Sequence, residues 1–294
     1  MRLMSRAMHA TALVAMSLPA AAAISVQDDA QHKLTLAAPA QRIVSLAPHT
    51  TELLFAAGAG ARIVGVSEFS DYPAAARGLP QIGSSAALDL ERIIALKPDL
   101  VVTWSSGNLA PQVAKLRQLG LAVFDSEPRD FETVATSLER LGQLAGTAAV
   151  GQMAADQFRS RLKSLSASYA QRPPVTVFYQ VWRDPLMTLN DAHMVSAAMR
   201  LCGGKNIFGK LIPLVPTVSV EAVLQADPEV ILAGGSADDP RFDWRRFAKL
   251  TAVARGNLFS LNSDWMTRAG PRVLDGADAM CQKLELARSK RSKY

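Results

Sequence analysis

From Thr147 to about Tyr169, the residues Val150, Met153, Ala154, Phe158, Leu162 and Leu165 recur at helical spacing, with no proline and no glycine after Gly151. The spacing predicts one long amphipathic helix over 147–170, stopped by Gln171-Arg172-Pro173-Pro174. A rod of that length in mid-chain divides the polypeptide into two flanks. The chain has 294 residues, more than one typical core accommodates, so two bodies are expected.

Both flanks read alike. Before the rod, short Val- and Ile-rich runs at Arg42 to Leu46, Arg62 to Val66, Leu100 to Trp104 and Leu121 to Phe124 alternate with helical patterns at Thr50 to Ala57, Leu88 to Leu96 and Pro111 to Leu119. Asp89 and Asp130 supply helix starts, while Gly58-Ala59-Gly60, Lys97-Pro98-Asp99 and Leu119-Gly120 supply stops. After it, strands are expected at Val175 to Val181, Glu229 to Leu232 and Asn257 to Leu261. Helices are expected at Met194 to Leu201, Val218 to Gln225 and Pro271 to Ala287. Alternation of this kind predicts parallel sheets covered by helices. The expected fold is α/β, with two Rossmann-like lobes (41–146 and 171–287) joined by a single long rigid α-helix that resists bending and limits clamshell closure.

The termini carry their own signals. Residues 1–23 combine Arg2 and Arg6, an apolar stretch from Ala10 to Leu18 and a run of alanines, the pattern of a secretory signal peptide cut near Ala22 or Ala23. The apolar stretch is too short to span a bilayer, so an exported, soluble, periplasmic product is expected. Its removal takes two arginines and no acids, lowering the net charge from +6 to +4. Much of that excess lies in the basic tail 288–294, read as solvated, and nothing points to nucleic acid. Cys202 and Cys281, the only cysteines, both lie in the exported part, where one disulfide is the natural pairing. Two buried free thiols are the alternative. A bond would staple the helix ending at Cys202 to the one bearing Cys281, Val273, Ala277 and Leu284 on one face.

Reactive chemistry is sparse. There is no Gly-x-Ser-x-Gly, P-loop, His-Glu-x-x-His or Cys-x-x-Cys. Gly58 and Gly60 lack the third glycine of a dinucleotide fingerprint and follow a helix. Of four histidines only His49 and His193 lie well inside the mature chain, too few for a metal site made by protein alone. No enzyme and no resident cofactor are therefore expected. Instead, aromatic and polar residues gather where predicted strands end, the edge at which open α/β sheets hold ligands. Ser45 to His49, including Pro48, follows the first strand. Phe69 and Tyr72 follow the second, and Trp104 closes the third. Trp182-Arg183-Asp184 and Asn262-Ser263-Asp264-Trp265 hold the same places in the second lobe.

On these residues the chain resembles the periplasmic cobalamin-binding proteins of ABC importers, within the helical-backbone binding-protein class that also includes siderophore and haem receptors. The resemblance runs from about Gln41 to Leu286. It is carried by Thr51-Glu52-Leu53, Ser70-Asp71-Tyr72-Pro73, Leu90-Glu91-Arg92-Ile93, Ala95 to Val101, Cys202-Gly203-Gly204 and Asn262-Ser263-Asp264-Trp265. It implies a monomer that holds a corrinoid such as cobalamin between its lobes and delivers it to an importer. Phe69 stands at a family tyrosine that meets the ligand, Trp104 at an aromatic wall, and Asp264 and Arg268 at polar contacts of the cleft. Cys202 and Cys281 stand at the family's disulfide. Glu91 and Glu221 stand at two surface carboxylates, one per lobe, that dock onto arginines of the transmembrane subunits. Taken alone, each would be an ordinary acid at a helix start.

Two positions depart from the family. Ser85 and Val215 replace tryptophans that flank the corrin, with Trp182 and His193 the candidates to compensate. A neutral imidazole at His193 could ligate cobalt or iron, although a hydrogen-bonded helix-start residue is the plainer reading. The departures keep open a receptor for haem or a ferric siderophore, the latter calling for arginines, of which Arg183 and Arg268 are the evident ones. A secreted α/β enzyme is the remaining class.

Overall fold

The computed structural model describes residues 23–169, 171–235 and 243–291. Residues 1–22 of the expected signal peptide 1–23, and 292–294 at the end of the basic tail, lie outside the described residues. Among the described residues no helix is long and apolar enough to cross a membrane.

The first lobe begins with a hairpin, β1 (Ile24–Gln27) and β2 (Lys33–Leu36). There follow β3 (Ile43–Ser45), α1 (Pro48–Ala56), β4 (Ile63–Val66), the short pair β5 (Gly83–Ser84) and β6 (Ala87–Leu88), α2 (Leu90–Ala95), β7 (Leu100–Trp104), α3 (Ala110–Gln118), β8 (Val123–Ser126) and α4 (Phe131–Leu144). Next comes α5 (Ala148–Tyr169), the predicted rod. The second lobe comprises β9 (Val175–Gln180), α6 (Met194–Leu201), β10 (Gly204–Asn206), α7 (Val220–Ala226), β11 (Val230–Gly234), α8 (Thr251–Ala254), β12 (Leu258–Leu261), α9 (Ser263–Thr267) and α10 (Val273–Lys290).

Each lobe is built on a four-stranded parallel sheet, ordered β4-β3-β7-β8 in the first and β10-β9-β11-β12 in the second. The α/β fold of two lobes joined through a long helix is as the sequence predicts. The two orders are equivalent, and the local chemistry repeats with them. In Leu90 to Val102 and again in Val220 to Leu232, a capped helix with one buried aliphatic residue (Ile93, Val223) ends in a left-handed residue. That residue is Lys97 (φ 47°) in one lobe and Asp227 (φ 39°) in the other. A proline and an acid then lead into the central strand, and the acid caps the strand beside it. Asp99 accepts from the Gln41 and Arg42 N–H groups at 2.8 and 2.9 Å, and Glu229 from the Thr176 N–H at 3.4 Å. Orphan donors at a strand start are thus satisfied in the same way twice.

The connection between the lobes is stiffer than a lone helix. Antiparallel α4 packs along α5 at glycine contacts: a Cβ on Gly151 would stand 2.5 Å from the Leu138 carbonyl oxygen, and one on Gly142 3.0 Å from the Gly151 Cα. No other residue permits that approach. Arg161 of α5 pairs with Asp275 of α10 at 2.7 Å. One apolar cluster runs from Val26 and Leu138 through Ala155 and Phe158 of α5 to Val177 and Leu284. Cys202, capping α6, is bonded to Cys281 in α10, with Cα atoms 4.7 Å apart. The bond staples two helices of the second lobe and excludes free thiols at these positions.

Candidate functional site

The carboxyl ends of the two sheets face one another across a cavity of about 300 Å³. His49, Trp104 and Glu127 line it from the first lobe, and His193, Val215 and Met266 from the second.

The floor on the first lobe is held by buried polar groups. After β3 the chain turns into α1 with Pro48 as its first residue, and Ser45 anchors the turn, its hydroxyl 2.6 Å from that of Thr50 and 2.8 Å from that of Thr51. Thr51 donates on to Ser70 at 3.1 Å, which ties in the loop after β4. Asn108 joins three further segments. Its Oδ1 accepts from the Trp104 N–H at 2.7 Å, and its Nδ2 donates to the carbonyls of Leu46 and Ser85 at 3.1 and 3.0 Å. Because Asn108 is buried, losing any of these bonds leaves a group unpaired. The Trp104 ring folds onto Gly107, where a Cβ would lie 1.9 Å from the indole.

His49 is buried with its ring edge-on to Trp104, centroids 5.6 Å apart. Burial pushes its pKa down to about 4, so the imidazole is neutral at ordinary pH. Its Nε2 lies 3.4 Å from the Ser126 hydroxyl at the end of β8. His193 is likewise held down to about 4 by burial. It is the N-cap of α6, Nδ1 accepting the Val195 N–H at 3.1 Å. That bond puts the proton of the neutral ring on Nε2, so no lone pair remains for a metal, which argues against the axial-ligand expectation.

A charged cluster bridges the lobes beside this floor. Glu52 of α1, buried, accepts from Arg272 Nε at 2.9 Å and from Arg272 Nη2 and Arg268 Nη1 at 2.5 and 3.3 Å. Arg268 also meets Asp71 at 2.6 Å and Asp264 at 3.2 Å. Its guanidinium holds the Asp71 carboxyl below the usual carboxylate range. The Glu52 hydrogen bonds raise the pKa of Arg272, whose guanidinium lies 3.9 Å over the Tyr72 ring. The partners of Glu52 lie more than two hundred residues away in sequence, and nothing local announces them. In the sequence only its place in Thr51-Glu52-Leu53 marks it.

Of the residues expected from sequence at the ligand, His49, Trp104 and Val215 line the cavity together with His193. Pro48, Phe69, Tyr72, Ser85, Trp182, Asp264, Trp265 and Arg268 do not line it. Phe69 is 74% exposed and holds φ at 62°, the left-handed region that a bulky side chain seldom enters. Trp182 is 53% exposed, its indole donating to the Asp184 carbonyl at 3.0 Å. Trp265 packs against Gly276 of α10. Glu91 and Glu221 are exposed at the same position of α2 and α7, one residue inside the first turn. Each follows a cap, Asp89 or Ser219, that accepts the N–H three residues on.

Comparison with known proteins extends this geometry. Residues 43–265 match the model of the family described as "Periplasmic binding protein". A vitamin B12-binding protein of Vibrio cholerae is 41% identical over 250 residues, covering 85% of this chain and 91% of that one. The crystal structure of the periplasmic vitamin B12 binding protein BtuF of Vibrio cholerae superposes with a TM-score of 0.81 at 41% identity, over 85% of this chain and 98% of that one. The periplasmic haem-binding protein RhuT of Roseiflexus sp. RS-1 shares the fold, with a TM-score of 0.72 at 24% identity over 84% of this chain and 98% of its own.

Proposed function

Since the chain belongs to the periplasmic binding protein family, we propose that it captures a corrinoid of the cobalamin type between its lobes and hands it, chemically unchanged, to an ABC importer. The observation that carries the reading is the cleft floored by Trp104 and neutral His49, in a chain 41% identical to a vitamin B12-binding protein. Binding would be by stacking and apolar contact. The cavity admits only part of so large a ligand, and Phe69, Tyr72 and Trp182, exposed after the ends of β4 and β9, are the apolar surface available to cover the rest. They stand in for the flat surface that Ser85 and Val215 do not provide.

A ferric siderophore fits less well. Such complexes are usually anionic, and although Arg129 stands at the cavity wall, Arg268 lies outside it and is already engaged by Glu52, Asp71 and Asp264. An anion would have to displace carboxylates to reach it.

Glu91 and Glu221 are proposed as the docking pair for the transmembrane subunits. Being solvated, they would set orientation and encounter rate more than affinity. The division at 41–146, 147–170 and 171–287, with an export signal before it, is the matching domain proposal.

Calorimetric titration with cyanocobalamin, cobinamide, haemin and ferric siderophores tests the ligand. Tight binding of a corrinoid, weakened by Trp104→Ala, is expected. Failure of both corrinoids alongside uptake of an iron complex overturns the reading.

A further inference from the structure

The turn of the first hairpin brings three metal-ligating side chains together, away from the cleft lining. The Asp28 N–H bonds the His32 carbonyl at 3.0 Å, and Asp28 Oδ1 accepts the His32 N–H at 2.7 Å. Gln31, at φ 67°, completes the turn. A carboxylate and an imidazole four residues apart thus face the same way, with Asp28 Oδ2 3.5 Å from His32 Nδ1. From the end of β8, Asp125 places Oδ2 3.3 Å from the same nitrogen. One ligand atom from each of the three residues lies within 4.8 Å of the other two.

We propose that Asp28, His32 and Asp125 form a binding site for a divalent zinc-class cation, which pins the amino-terminal hairpin to the first lobe. Oxygen and nitrogen ligands about 2.0–2.2 Å from a tetrahedral zinc stand roughly 3.4 Å apart. The two distances from His32 Nδ1 match that edge, and the carboxylate oxygens lie within 4.8 Å of one another. One imidazole with two carboxylates suits zinc, with water completing the coordination at the exposed His32 side.

The other bonds of the carboxylates orient them. Asp125 Oδ1 accepts the Thr103 hydroxyl at 2.6 Å, and Asp28 Oδ2 accepts the Asp125 N–H at 3.2 Å. Such outer bonds fix ligand direction in metal sites. Charge also favours a cation. Asp28 and Asp125, 1% and 6% exposed, are two adjacent carboxylates faced by one guanidinium, that of Arg117, which bonds Asp125 Oδ2. Arg117 reaches in from α3 with a side chain 39% exposed, so it can turn outward. It therefore competes with a metal for one of the three ligand atoms.

That competition makes the test two-sided. Chelator-treated protein is titrated with zinc by calorimetry, and with cobalt as a visible-absorption probe of a low-coordinate nitrogen and oxygen site. Wild type should bind one equivalent saturably and melt at a higher temperature when loaded. His32→Ala should lose affinity at least ~10-fold, whereas Arg117→Gln should gain it. Both changes are at partly exposed side chains, and a far-UV spectrum checks that each variant folds. Absence of saturable binding, zinc binding unchanged in His32→Ala, or weaker binding in Arg117→Gln each overturns the proposal. The last result would show Arg117 to be part of a hydrogen-bonded clasp that needs no metal.

Discussion

Replacing Glu52 by Gln removes one charge from the bridge between the lobes and little else. The amide keeps the shape of the carboxylate but turns an NH2 toward donors that need an acceptor. Arg268 retains Asp71 and Asp264. Arg272 keeps the Tyr72 ring face and the weaker, longer-range attraction of Asp264, with its side chain 17% exposed. Removing one member of a fully buried pair costs 3–5 kcal/mol in general, because the orphaned charge stays in a poor solvent. Partial exposure of the guanidinium reduces this to about 2–3 kcal/mol. Denaturant unfolding followed by tryptophan fluorescence would measure it. The same experiment on Arg272→Met and on the double variant completes the cycle. If an uncompensated guanidinium is the cause, the double variant is no less stable than Glu52→Gln alone, giving a coupling of roughly 1–3 kcal/mol. A loss below about 0.5 kcal/mol for Glu52→Gln, or strict additivity, refutes the reasoning.

Acid should weaken the fold through two buried imidazoles. His49 and His193 take up a proton near pH 6.5 when unfolded but only at about 4 when folded. Their contribution is therefore complete above about pH 6.5 and is lost as pH falls toward 4, by at most roughly 3 kcal/mol per ring. His193→Asn keeps a capping side chain and should halve the slope of stability against pH across that window; an unchanged slope counts against the assignment. The Cys202–Cys281 bond closes a separation of 79 residues, so its removal by the double serine variant should cost about 4 kcal/mol. A shift in midpoint worth less than about 1 kcal/mol would mean that strain cancels the entropic gain. Charge reversal at both Glu91 and Glu221 should abolish importer-dependent uptake and leave ligand affinity unchanged, and normal uptake by that variant refutes the docking role.

The parts of the molecule legible in the sequence are those set by local periodicity. The strand Leu100–Trp104 and the helix Met194–Leu201 lie where their patterns predict, because the first is an unbroken Val-rich run buried on both faces and the second repeats at helical spacing over its whole length. The strand expected at Leu121 to Phe124 instead runs Val123–Ser126. Its polar end reads as surface, yet Asp125 is buried by bonds to Thr103 and the Asp28 turn, and Ser126 lies against His49. The hairpin Ile24 to Leu36 has too weak a pattern to read: each strand contributes one buried residue, Val26 or Leu36, to the core. Asn108 lies just past the strand end at Trp104, but a side chain that joins three loops has no local signature. The aromatic residues at strand ends are visible for the opposite reason, since topology alone puts them on one edge.

The repeat within the chain links the two halves of the proposed function. Leu90 to Val102 and Val220 to Leu232 place equivalent glutamates on equivalent helices, each leading into the central strand of its sheet. The carboxyl end of the first of those strands, at Trp104, bears the cleft, so within that lobe the separation of Glu91 from the ligand surface is fixed by a single packed unit. Between lobes it is fixed by α5, braced by α4, and by the Glu52 cluster. Any change in cleft width must then alter the distance from Glu91 to Glu221, because both hang on the same two bodies. A docking pair split across the lobes thus measures the cleft, whereas two carboxylates on one lobe would be blind to it.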